Sequence, residues 1–402
     1  MPWDESCAMD RRIDFISDWF SELWTVVELA ERYGVSRKTA HKWIGRYLAE
    51  GASGLEDRSS APLRHGRSTP EAQAEAIIQQ KLVRPSWGPR KIVATLDRLH
   101  PDVAWPAAST AGEILKRAGL VRHRRRRHRA PPTLGALVTP QAPNQLWAAD
   151  HKGWVRLGDG KRCEPLTVTD GYSRFLIGLE ACASTREDEA RPVFERAFAE
   201  YGLPQTIRTD NGPPFASTGV TGLTALGVWW ARLGIRHERI TPGRPQQNGR
   251  HERFHLTLKE AMDPPSANQS DQAGRFEAFR QDYNHQRPHE ALGQVPPAWR
   301  YLASSRSMPE RLGEPEYPRE ADIRRVRSSG EIKWAGELLF VSTALIGELV
   351  AIEESPTGEL VMRFCNTPIG VIDTRQKRLR RLVVPARGNN HHTKNVSPIY
   401  PV

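Results

Sequence analysis

Three carboxylates stand where a charge is either costly or on display. Asp150 follows "LWAA" in an apolar run, where an ionised group needs a partner or a cation. Asp210 ends "TIRT" and is followed by Asn-Gly, a turn that exposes the carboxylate at a strand end. Glu252 sits in "TPGRPQQNGRHERFHLTLKE", one acid among Arg, His and Lys in the second turn of a helix that otherwise reads as basic surface. Taken singly, each has a plain explanation: an edge-strand residue, a turn aspartate, and a solvated helix face paired with a nearby base. Taken together, hard oxygen donors with open positions suit Mg²⁺, which keeps waters and takes phosphate oxygens as its other ligands.

The elements that must position them are legible in outline. "NQLWAADHKGWVRL", "CEPLTVTDGYSRFLIGLEAC" and "QTIRTDNG" read as strands, and "IRHERI" as a short one. "REDEARPVFERAFAEYG" and "TALGVWWARLG" read as helices. Three strands in succession, then helix, strand, helix, strand, helix, predict a mixed sheet flanked by helices. Ligands gather at strand ends in such sheets, and a helix packed across the sheet would bring Glu252 to the same place.

Composition narrows the class. No apolar run approaches the roughly eighteen residues that span a bilayer, so no membrane is expected. The start, "MPWDESCAMDRRIDF", lacks the features of a signal peptide. Four scattered cysteines with no CxxC pair argue against a zinc knuckle or disulfide framework, and for a reducing, cytoplasmic setting. Net charge is +11, and residues 31–129 hold 21 Lys and Arg against 9 Asp and Glu. One contiguous N-terminal third therefore carries the whole excess, the footprint of a nucleic-acid-binding module; a merely soluble basic surface is the alternative.

That third contains two helix-turn-helix candidates. In "TVVELAERYGVSRKTAHKWIGRYL", Val26, Val27, Leu29 and Ala30 form one apolar stripe, Gly34 the turn, and Ser36 the cap of the next helix. Ala40, Trp43, Ile44 and Tyr47 pack that helix inward and leave Arg37, Lys38, Thr39, His41, Lys42 and Arg46 outward, as for a helix along a DNA groove. A second helical unit starts at Thr69-Pro70-Glu71 and ends in a recognition-like helix capped by Ser109 and closed by Gly119. "RHRRRRHR", with Arg124, Arg125, Arg126 and Arg127, is either a solvated tether or a segment lying along DNA backbone. The expected domains are a helix-turn-helix region over 1–60, a second helical unit over 68–121, a basic linker over 122–139, an α/β core over 140–302 and a small all-β domain over 320–385. That last segment alternates in polarity, turns at Pro356-Thr357-Gly358 and reads as a barrel or sandwich, with "RQKRLRRL" as a basic tail.

"LWAAD", "TVTDGYSRF", "TDNGPPF", "PQQNGRHERFHLTLK" and "YNHQRPHEALG", in this order, resemble the integrase-type catalytic core of bacterial insertion-sequence DDE transposases, relatives of retroviral integrases. The resemblance covers about residues 140–302. It implies a ribonuclease-H-like fold and a catalytic, metal-holding triad at Asp150, Asp210 and Glu252, with two Mg²⁺ ions and Mn²⁺ as a substitute. It implies as partners double-stranded DNA, at element ends and target, and further copies of the chain. The interval from Asp210 to Glu252 is longer than is usual in the family, and "ASTGVTGLTALGVWW" holds the excess. Glu238 and Glu260 are the rival carboxylates. Asn248 would cap the helix, with Phe254, Leu258, Ala261 and Met262 as its buried stripe. Lys259, seven residues after Glu252, shares its face and reaches DNA phosphate. The activity expected is cutting of element ends and joining of the 3′-hydroxyl to target DNA. A nuclease that cuts without joining, and a DNA-binding regulator with an inactive core, are the alternatives.

Overall fold

Hydroxyl caps set the helix starts of the N-terminal unit. Thr25 and Glu28 form a reciprocal capping box at the start of α2 (Val26–Arg32), and Ser36 accepts from the Thr39 N–H at the start of α3 (Arg37–Glu50). Gly34 makes the turn between them at φ +62°, in the left-handed region that glycine adopts without strain. Helix α1 (Ala8–Phe20) precedes them, and Phe15, Ile16, Leu29, Ala40, Trp43, Ile44 and Leu55 share one core. The computed structural model describes residues 7–58, 69–121, 137–241 and 249–381. It divides into two units, residues 1–70 and 71–402.

The second unit begins with α4 (Glu71–Val83), α5 (Pro89–Leu99) and α6 (Ala108–Arg117), packed around Ile77, Trp87, Ile92, Leu96 and Leu115. Helix α6 starts earlier than its sequence indicates. Ala107 is the N-cap, in extended backbone and with no side-chain cap bond, and Ser109 is an exposed residue of the first turn. Burial of Ala111, Ile114 and Leu115, rather than a hydroxyl cap, holds this start.

The α/β core comprises β1 (Trp147–His151), β2 (Val155–Arg156), β3 (Arg162–Asp170), β4 (Leu176–Cys182), α7 (Glu187–Tyr201), β5 (Thr206–Thr209), α8 (Ala225–Arg232), β6 (Arg236–Arg239), α9 (Gly249–Ala261) and α10 (Gln269–His285). The sheet runs β4–β3–β1–β5–β6, with β2 beside the start of β3. Pairs β4–β3 and β3–β1 are antiparallel, and β1–β5 and β5–β6 parallel. This is the mixed sheet expected of a ribonuclease-H-like core. Strand β1 is interior, so Asp150 is not an edge-strand residue. Helices α7 and α8 cover one face through Phe194, Phe198, Trp229 and Trp230, and α9 and α10 pack through Phe254, Leu258, Met262, Phe276 and Tyr283 on Cys163, Leu176 and Ala181.

Two sequence motifs turn out to be braces for this core. In "TVTDGYSRF", Asp170 is buried and accepts from the N–H groups of Asn144 and Ser173 and from the Ser173 hydroxyl. In "YNHQRPHEALG", buried Asn284 bonds both the N–H and the C=O of Leu176, pinning α10 to β4. Helices α4 and α5 are bolted to the far end of α10. Arg84 pairs with Asp282 (2.5 Å) and donates to Gln286, and Arg90 pairs with Glu290 just beyond the helix.

The C-terminal region is all antiparallel: β7 (Asp322–Arg325), β8 (Glu331–Trp334), β9 (Glu337–Phe340), β10 (Leu349–Glu354), β11 (Leu360–Phe364), β12 (Thr367–Asp373) and β13 (Arg378–Arg380). The main sheet runs β13–β12–β11–β10–β7, and β8–β9 forms a hairpin. "RQKRLRRL" is therefore not a tail as far as residue 381. Residues 378–380 form a strand on β12, and Leu379 is buried. The long interval after Asp210 is where this region docks. Val220, Leu223 and Val228 pack into its core, Arg232 pairs with Glu348 (2.5 Å), and Arg381 donates to the Gly219 carbonyl (2.9 Å). No helix among the described residues is long and apolar enough to cross a membrane.

Glu238, a rival carboxylate, is a structural one. It lies opposite Arg208 across β5–β6, only 3% exposed, pairs with it at 2.7 Å, and accepts from the Val138 N–H. Removing one member of a buried pair leaves the other charge uncompensated. Glu238→Ala should therefore lower unfolding free energy by about 3–5 kcal/mol, measured by denaturant titration.

Candidate active site

Asp150 lies at the end of β1 directly across from Thr167 of β3. Its carboxylate is 22% exposed. Burial, then the neighbouring Asp210, push its pKa up to about 7; the His151 backbone N–H and Lys152 oppose the rise, and Glu252 adds to it. The structure thus brings Asp210 and Glu252 within electrostatic reach of Asp150. Asp210 comes directly after β5 and accepts from the Gly212 N–H at 3.1 Å. A Cβ on Gly212 would lie 3.0 Å from an Asp210 carboxylate oxygen, a physical reason for glycine after Asp-Asn. Among the described residues neither Asp210 nor Glu252 has an ion-pair partner, whereas Glu238 has Arg208.

Glu252 is exposed on the first turn of α9, and two histidines beside it in the helix hold that helix down. His251 and His255, at i and i+4 on the buried flank of the same helix, are 2% and 8% exposed. The Thr167 hydroxyl meets His251 Nε2 at 2.6 Å, His255 Nε2 at 3.0 Å and the Asp150 carbonyl at 2.9 Å. Thr169 meets His251 Nδ1 at 3.1 Å. Burial holds both imidazoles neutral, with the pKa of His255 down to about 3 and that of His251 well below its ordinary value. A second donor set emerges here that composition and spacing had not singled out: ligand atoms of Asp150, His251 and His255 lie within 4.8 Å of one another. The signal was present as "HERFH", two histidines at the spacing that puts both on one helix face. His151 looks away from this cluster toward Phe215, and neither ring nitrogen has a hydrogen-bond partner among the described residues.

The remaining expected positions divide in three. Lys259 is exposed in the last turn of α9, as is Leu256 between it and Glu252. On α3, Arg37, Lys38, His41 and Lys42 are exposed, the last with its ammonium 4.6 Å from the Trp43 ring centroid. Two others have structural partners: Thr39 serves the Ser36 cap, and Arg46 stacks on Trp43 at 4.8 Å and donates to the Glu56 carbonyl. Arg124, Arg125, Arg126, Arg127 and Asn248 lie outside the described residues, as does the side chain of Glu260.

The family described as "Integrase core domain" matches residues 140–245 and, in a second form, 233–297. A "Helix-turn-helix domain" matches residues 11–62 and a "Homeodomain-like domain" residues 39–115. Among curated relatives, the chain is 30% identical over 231 residues to the 31.7 kDa protein of insertion element IS407 from Burkholderia multivorans, covering 57% of this chain and 80% of that one. It is 30% identical over 280 residues to the 39.2 kDa protein of insertion element IS476 from Xanthomonas euvesicatoria, covering 68% and 77%. The solved HTLV-2 integrase catalytic core domain in complex with magnesium overlays loosely, with 16% identity and a TM-score of 0.32 over 41% of this chain and all of that one.

Asp150 makes stability depend on pH in a definite direction. Its folded pKa lies above the ordinary 3.8, so its contribution is whole below about pH 4 and is lost as pH climbs to about 7. In a chelating buffer at pH 8, Asp150→Asn should be more stable than the parent by on the order of 2 kcal/mol. The difference should shrink toward pH 5 in thermal melts.

Proposed function

The chain belongs to the family of insertion-element proteins built on an integrase core domain, and from that premise we propose that it is a transposase. It would cut DNA at the ends of its element and join the freed 3′-hydroxyl to target DNA. The observation that supports this reading is the electrostatic influence of Asp210 and Glu252 on Asp150, with none of the three in an ion pair with Lys or Arg among the described residues. Asp150 is driven up to about 7 in part by Asp210 and Glu252, while Glu238 nearby is neutralised by Arg208. Like charges gathered at a strand end suit a site meant for cations.

Asp150, Asp210 and Glu252 would hold two Mg²⁺ ions, or Mn²⁺ in their place. When bound, such ions stabilise charge on the phosphate under attack and on both the entering and leaving oxygens. The chain's own part is placement. The Thr167 hydroxyl and the His151 N–H fix Asp150, the Gly212 N–H orients Asp210, and α9 presents Glu252 to solvent, where DNA arrives. Lys259 on the same exposed side would take a phosphate and set the strand's path. Exposed Arg37, Lys38 and His41 on α3 would read element ends, and joining two ends calls for more than one copy of the chain.

Two outcomes test the assignment. Glu252→Gln keeps size and helix propensity and removes one charge. Its fold should change by less than about 1 kcal/mol, with end binding intact. Mg²⁺-dependent nicking and joining should both fall by at least about 100-fold, and Glu260→Gln should stay active. Near-normal activity in Glu252→Gln would mean that the wrong carboxylate has been chosen. Binding of the full chain to element ends should weaken steeply with salt, as several phosphates shed counterions. Arg37→Ala with Lys38→Ala should flatten that slope in a salt titration of binding.

A further inference from the structure

Behind the carboxylates lies a pocket of nitrogen donors that DNA joining does not require. Counting its protons leaves one lone pair over. The Thr167 hydroxyl has a single proton, and the Asp150 carbonyl at 2.9 Å can only accept it. For the other two contacts to be hydrogen bonds, His251 Nε2 and His255 Nε2 must both donate to the Thr167 oxygen. His255 Nδ1 is then a bare lone pair on a ring that is 8% exposed. Lys152 is near enough to lower its proton affinity, and Asp150 Oδ2 lies 3.9 Å away. That is too long for a hydrogen bond. Two acceptors aimed at one gap mark a place for a cation.

We propose that Asp150, His255 and His251 form a second metal site, distinct in chemistry from the carboxylate triad, that takes a borderline transition ion of the Zn²⁺ class. Imidazole nitrogens favour such ions over Mg²⁺, which prefers oxygen. Two ligands on a tetrahedral ion with bonds of about 2.1 Å stand roughly 3.4 Å apart, so the 3.9 Å gap closes with a small shift of one side chain. His251 joins by exchanging one threonine hydroxyl for the ion, and the other threonine holds its remaining ring N–H, as is usual for metal-bound imidazoles. The spacing His251-Glu252-x-x-His255 is also that of zinc hydrolases. Glu252 flanks the pair on α9, one residue from His251 and three from His255, and stays exposed; it is assigned to the triad, not to this ion. The two metal sets are instead antagonists. Asp150 belongs to both, and an ion held by the histidines withdraws it from the triad. This consequence rests on the reading of Asp150, Asp210 and Glu252 as the Mg²⁺-holding set.

The test uses the full-length protein stripped with chelator, with Zn²⁺ alone as calorimetric probe and Co²⁺ as spectroscopic one. The expected result is one tight Zn²⁺ equivalent and intense visible Co²⁺ bands of a four-coordinate, nitrogen-containing site. His255→Ala should lower Zn²⁺ affinity by at least about tenfold, and Asp210→Asn should leave it within about threefold. His255→Gln, which keeps a donor for Thr167, gives the same reading if the alanine variant misfolds. Zn²⁺ should also inhibit Mg²⁺-driven joining, with excess Mg²⁺ restoring it. The proposal is overturned if the His255 variants bind Zn²⁺ like the parent, or if Asp210→Asn loses Zn²⁺ as they do. If the parent chain shows no joining but Zn²⁺ binding keeps the expected pattern, the transposase reading fails and the second site stands.

Discussion

One hydroxyl, that of Thr167, ties together the three elements on which the candidate site depends. It belongs to β3, donates to the Asp150 carbonyl of β1, and meets the Nε2 atoms of two histidines of α9. The β1–β3 register puts Thr167 directly across from Asp150, so the contact is a consequence of strand pairing. The histidines make α9 an unusual amphipathic helix. Its docking face is apolar through Phe254 and Leu258 and polar through His251 and His255. A purely apolar face could slide or rotate by part of a turn with little penalty. Directional bonds in a buried setting cannot, because each unmade one leaves a desolvated polar group. The orientation of Glu252 is thereby fixed from behind.

The basic residues divide between structure and surface. Arg84 and Arg90 serve α10 and the turn after it, and Arg208 serves Glu238. Arg46 is stacked on Trp43 and bonded to a carbonyl. The set that remains outward on α3 is shorter than charge counting suggests. Net charge reports the potential a chain presents to a polyanion, not which guanidinium is at liberty to meet it.

Packing also accounts for the stretch between Asp210 and Glu252. Its extra length docks the C-terminal sheet, through Val220, Leu223 and Val228 and the Arg232–Glu348 pair. An insertion that could have loosened the approach to the site is instead held in place. The site itself is left with repulsion among carboxylates, a local destabilisation that the surrounding core must outweigh.

The order of elements was legible along the chain, and Asp150 and Asp210 stood out in it, because both rest on local rules. Period-two and helical patterns give strands and helices, Asp-Asn-Gly gives an exposed turn, and a charge after "LWAA" is conspicuous against an apolar run. The cap at Ser36 was legible because a hydroxyl makes it, and Ser109 was misleading, because burial sets that helix start. Choosing between carboxylates needed the folded chain. Glu238 and Glu252 both sit in basic surroundings, and it is strand pairing that gives one of them Arg208. Folding also turned Asp170 and Asn284 from motif residues into buried braces, and two histidines of a basic-looking helix into neutral, buried donors behind Asp150. Those outcomes depend on which side chains face each other across strands and helices distant in sequence, and no local pattern carries that information.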